Sequence, residues 1–132
     1  MRFIVMAMAK QEAPAGPPPT PEAFAAMQQY NEAAVKSGVL LAAEGLSEKA
    51  TRVKFSGEER LVFDGPYAES KEVIAGFSII QANSLEDAIE WVKRAPNVSP
   101  SGEGECVIRK LMDVEDFGEG FTPNEEIAKV KF

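Results

Sequence analysis

Apolar side chains occupy both parities of residues 2–8: Phe3, Val5 and Ala7 on one, Ile4, Met6 and Met8 on the other. A strand with that pattern is covered on both faces, so it belongs in the middle of a sheet. Residues 10–19, with Pro17, Pro18 and Pro19 in succession, can neither pair nor coil and read as a loop. Thr20 then supplies an N-cap and Pro21 a first helical residue. Phe24, Met27, Tyr30 and Ala34 recur at helical spacing until Gly38 ends the run.

Residues 39–46 read as a second strand, and 52–55 with 60–63 as a hairpin turning on Ser56, Gly57, Glu58 and Glu59. A further strand covers 73–82. Ser84 and Asp87 form a capping box for a helix whose Leu85, Ala88, Ile89 and Val92 share one face, and Pro96 breaks that helix. Residues 105–112 are the last strand, with Cys106 and Ile108 on one side and Val107 and Leu111 on the other. The order strand, helix, strand, hairpin, strand, helix, strand predicts an α+β fold, an antiparallel sheet with both helices on one face. Because several strands are apolar on both sides, the second face also needs cover, and the simplest cover is an identical sheet in a C2 homodimer. Residues 1–112 read as one domain. Residues 113–132 read as an acidic extension in which Thr122, Pro123 and Glu125 start a short helix, with Ile127 and Val130 to dock it.

Composition narrows the partners. With 45% hydrophobic and 27% charged residues, the 132-residue chain has the balance of an ordinary globular domain. Its 21 acidic and 14 basic residues give a net charge of -7 with the cations scattered, which argues against nucleic acid and anionic membranes as partners. No apolar run approaches the roughly 18 residues of a membrane span. The apolar stretch 3–9 is too short for an export signal, and a single cysteine, Cys106, cannot form an intramolecular disulfide, so a cytoplasmic setting is expected. With no histidine and one thiol, a zinc site of nitrogen and sulfur ligands is excluded. No phosphate loop or nucleophile elbow is present, and no cofactor is expected.

One segment carries a specific likeness. Asp64-Gly65-Pro66-Tyr67-Ala68-Glu69-Ser70-Lys71-Glu72, followed by Ala75-Gly76-Phe77 and by the helix from Ser84 to Trp91, resembles the signature of the YCII-related family in its DGPF form. Tyr67 stands where the name-giving motif has Phe, a change that keeps the ring. The resemblance spans most of the chain up to about Leu111. It implies a ferredoxin-like, dimeric α+β barrel in which two sheets face one another. It also implies a possible regulatory or protein-interaction role, since genes of the family often accompany sigma factors of the extracytoplasmic-function class. A His and Asp pair is proposed for acid–base chemistry in members similar to the YCII branch; this chain has no histidine, so that mechanism does not transfer intact.

Asp64 is the first candidate for a catalytic acid or base, a carboxylate at a strand end beside Gly65 and Pro66. The same residue in that setting caps a turn by accepting backbone N–H bonds, and the two roles are compatible. Glu44, Tyr67, Lys71 and Arg109 are candidate ligand contacts. Glu44 and Arg109 each place a charge in a strand, where it needs a pocket, water or a partner, and pairing of one with the other is an open alternative. Lys71 sits in a run of charges that also reads as a solvated face. Cys106 has no imidazole to activate it and reads as core. Two functions therefore stand: a small-molecule binder or enzyme, and a non-catalytic regulatory module.

Overall fold

The computed structural model describes residues 1–10, 20–47, 49–64, 72–99 and 102–117. In chain order the elements are β1 (Arg2–Lys10), α1 (Pro21–Lys36), β2 (Leu40–Gly45), β3 (Thr51–Ser56), β4 (Glu59–Asp64), β5 (Glu72–Gln81), α2 (Leu85–Lys93) and β6 (Glu105–Lys110). A single 3-10 turn at Val114–Phe117 follows. The tail helix expected around Thr122 lies outside the described residues.

β1 takes the central place that its doubly apolar pattern predicts. The main sheet has the order β2-β5-β1-β6 with every neighbour antiparallel. That is the α+β arrangement expected from the order of elements and the ferredoxin-like fold implied by the family resemblance, with the β3–β4 hairpin inserted between the second and third strands of the sheet. Both helices lie on the side to which the odd residues of β1 point. Phe3, Val5, Ile80 and Ala88 form the buried cluster, and Val39, Leu40, Ala82, Val92 and Ile108 pack against it.

Local chemistry fixes where the helices start and stop. The Ala23 N–H donates to Thr20 Oγ1 at 3.1 Å, and the Asp87 N–H donates to Ser84 Oγ at 3.1 Å, each satisfying a first-turn donor that the helix itself leaves open. At the far end of α1, Gly38 adopts φ 73, and the Val39 N–H donates to the Ala34 carbonyl at 2.9 Å. The helices are tied together by Tyr30, whose hydroxyl donates to the Trp91 carbonyl at 2.7 Å.

Two expectations about the packed side are corrected. Phe24, expected on the core stripe of α1, is 62% exposed; the covered positions are Ala23, Ala26, Met27, Tyr30, Asn31 and Ala34, a stripe rotated away from Phe24. Cys106 is exposed rather than core, because β6 is an edge strand and its first residues run past the cover of α2. Its thiol is nonetheless partly desolvated, and burial, followed by the neighbouring Glu105 carboxylate, pushes the thiol pKa above its ordinary value. A raised pKa keeps the sulfur protonated and unreactive at neutral pH.

Candidate functional site

The side of the sheet opposite the helices is built by alternation. With Phe3 and Val5 turned toward the helices, Ile4 and Met6 face the other way, and cross-strand partners share their face. The register sets Arg109, Ile4, Ile79 and Ala42 in one row across the four strands, and Val107, Met6, Phe77 and Glu44 in the next. The middle of this face is apolar and half-buried, while its two edges carry charge: Glu44 on β2 and Arg109 on β6, both exposed. Arg2 follows Ile4 by alternation, and its Nη2 is buried with no hydrogen-bond partner among the described residues. A buried guanidinium N–H without an acceptor is costly.

Glu44 is held by backbone fit as well as by pairing. β2 runs so close to β5 that a Cβ added at Gly76 would lie 3.0 Å from the Glu44 carbonyl oxygen and 3.4 Å from Gly45 Cα. Gly76, part of the segment that carries the family likeness, therefore lets the edge strand approach and fixes the level at which Glu44 leaves the sheet.

Pairing of Glu44 with Arg109 within one chain is corrected by the strand order. They sit on the two outermost strands with β5 and β1 between them. At about 4.8 Å per strand this is about 14 Å, too far for an ion pair. Asp64 occupies a third place, the last residue of β4 opposite Thr51, and is exposed. Gly65, Pro66, Tyr67 and Lys71 lie outside the described residues. Among the described residues no cluster of three or more acidic or thiol groups is placed to hold a metal ion.

The motif-based reading missed a cleft on the helix side. A polar, open hollow of about 570 Å³ is lined by Gly38, Gln81, Asn83, Asp87, Trp91 and Arg94 among others, and contains none of the candidate residues. The Arg94 guanidinium lies 4.6 Å from the centre of the Trp91 ring. Trp91 was visible in the sequence only as part of the family signature, and nothing in the spacing joins it to Gln81, which reaches the cleft through a different element.

Comparison with known proteins places the chain. The model of the YCII-related domain matches residues 1–113, which covers every element of the sheet and both helices. The chain belongs to the YCII-related domain family. A curated relative, an uncharacterized protein of Rhizobium meliloti (strain 1021), is 37% identical over 62 residues, 47% of this chain and 49% of that protein. The match thus spans about half the length of that relative. For this YCII-related chain, among the described residues no helix is long and apolar enough to cross a membrane.

Proposed function

We propose that this YCII-related protein acts as a C2 homodimer, with the helix-free faces of two sheets enclosing a pocket for a small organic acid. The observation that supports it most is the composition of that face: an apolar centre of Ile4, Met6, Phe77, Ile79 and Val107, with Arg109 at one edge and, beside it, Arg2, whose buried Nη2 has no hydrogen-bond partner among the described residues. An apolar floor with one or two convergent cations suits a carboxylate whose body is hydrophobic. Dimerisation would cover the face and raise the strength of the charge–charge contact by excluding water. Catalysis is a further step in the same reading: Asp64 would serve as the acid or base, reaching the pocket from the base of the hairpin once the second subunit is in place.

A thermal-shift screen of aliphatic and aromatic carboxylic acids, run beside light scattering, tests the reading. Wild type is expected to be dimeric and to gain several degrees from a binding acid, since a ligand at a hundredfold excess over Kd adds about 2.7 kcal/mol. Arg109→Gln should lose most of that gain, whereas Asp64→Asn should bind and fail only in turnover. A monomer at every concentration, or no shift with any acid, would count against a ligand pocket and leave the regulatory-module reading.

A further inference from the structure

The polar cleft on the helix side is walled by one face of α2. Asp87, Trp91 and Arg94 line it at the spacing i, i+4, i+7, which sets them in one row along that helix. The opposite wall is the end of β5 and the C-cap of α1, tied together by Gln81, whose Nε2 donates to the Gly38 carbonyl at 3.1 Å. At about 570 Å³ the hollow has the size of a small-molecule site, about 300–1,000 Å³.

The charges of this row do not pair with each other. Glu90, one turn before Arg94, is spaced for an i,i+4 ion pair with it. Instead Glu90 Oε1 lies 3.6 Å from Lys93 Nζ, and the Arg94 guanidinium lies 4.6 Å from the centre of the Trp91 ring. Stacked on an aromatic face, a guanidinium keeps its N–H edge available for a planar, two-oxygen acceptor. At the other end of the row the Asp87 N–H donates to Ser84 Oγ, while the Asp87 carboxylate makes no hydrogen bond or ion pair among the described residues. The helix dipole favours an acid in the first turn and a base after the last, but it does not require that both line one hollow with an indole between them.

An unpaired cation and an unpaired anion at the two ends of one polar hollow call for a ligand that carries both charges. We propose that the cleft binds a free α-amino acid, its carboxylate on the Arg94 guanidinium, its ammonium on the Asp87 carboxylate and its side chain against Trp91. Asp87 and Arg94 are about 10 Å apart along the helix axis. An α-amino acid with a charge-assisted bond of about 2.8 Å at each end spans about 8 Å, close to that spacing. A simple carboxylic acid would bring its charge toward Asp87 with nothing to offset it, and a simple amine would do the same toward Arg94. The site is built within one chain and lies on the opposite side of the sheet from the organic-acid pocket, so it does not depend on the homodimer.

Trp91 is the single tryptophan of the chain, so its fluorescence reports on this cleft alone. The common protein amino acids are titrated into wild type, Arg94→Gln and Asp87→Asn and followed by Trp91 fluorescence and by calorimetry, with calorimetry alone for tryptophan and tyrosine. At least one amino acid is expected to saturate with a Kd of about 1 mM or tighter, and each variant should weaken it at least about tenfold. Its N-acetyl derivative, which keeps the carboxylate and lacks the ammonium, and its amide, which lacks the carboxylate, should each bind at least about tenfold more weakly. An N-acetyl derivative that binds as well as its parent and leaves Trp91 fluorescence unchanged would put binding on the sheet face and overturn the cleft site. Variants that keep the wild-type Kd, or no response to any amino acid, would overturn it as well and leave the organic-acid pocket untouched.

Discussion

Phe3→Ala is the sharpest test of where the core sits. Phe3 is 2% exposed and is the largest side chain buried to that degree among the described residues; two of the other four buried hydrophobic residues are alanines, Ala34 and Ala88. Its ring is therefore the main volume between the sheet and α2. β1 is hydrogen-bonded on both sides, by β5 and by β6, so its backbone cannot move in to fill the space. Truncation of a buried Phe costs about 3–5 kcal/mol, and the fixed backbone places this site toward the upper part of that range. A domain of this size typically has about 5–15 kcal/mol in total, so the loss is a large fraction. With an unfolding entropy of about 2.1 cal/mol/K per residue, or about 0.28 kcal/mol/K for the 132-residue chain, Tm should fall by about 11–18 °C. Circular dichroism melts of the two proteins at one fixed concentration measure it, with urea unfolding as a check. A drop below about 4 °C corresponds to about 1 kcal/mol and would show that Phe3 is not at the centre of the core.

Gly76→Val should cost about 1–3 kcal/mol by pushing β2 away from β5, and faster hydrogen exchange in β2 would locate the damage; unchanged stability would mean the 3.0 Å approach is not a constraint. Ser84→Ala removes the acceptor for the Asp87 N–H and should cost about 1 kcal/mol in urea unfolding, with Ser84→Asp near wild type; equal losses for both would remove the cap from the account. Alkali should weaken the fold. Burial raises the Tyr30 phenol and the Cys106 thiol above their ordinary values, so the folded state holds those protons more tightly than the unfolded chain. The associated stability is complete below the unfolded pKa values of about 9–10 and is lost as pH rises through the higher folded ones. Urea midpoints from pH 7 to 11 should decline above about pH 9, and less steeply in a Tyr30→Phe, Cys106→Ser double variant; parallel curves would refute that origin.

The sequence by itself determined what depends on near neighbours. The two-sided apolar pattern of residues 2–8 required a central strand, because a strand exposed on one face would waste half of those side chains, and β1 does lie between β5 and β6. Thr20 and Ser84 announced their helices because a cap is a hydrogen bond to an N–H three residues along, and Gly57 announced the hairpin through a turn two residues long. The YCII-related likeness was legible in one continuous run for the same reason. What only the tertiary structure decided is which strands are neighbours. Alternation assigns Glu44 and Arg109 a parity but not a partner, and the order β2-β5-β1-β6 sets them on opposite edges. The same order leaves Cys106 on an edge and the apolar β3–β4 ribbon outside the sheet. Strand order is settled by loop closure and by burial summed over the whole chain, and neither quantity is written in the spacing of any one segment.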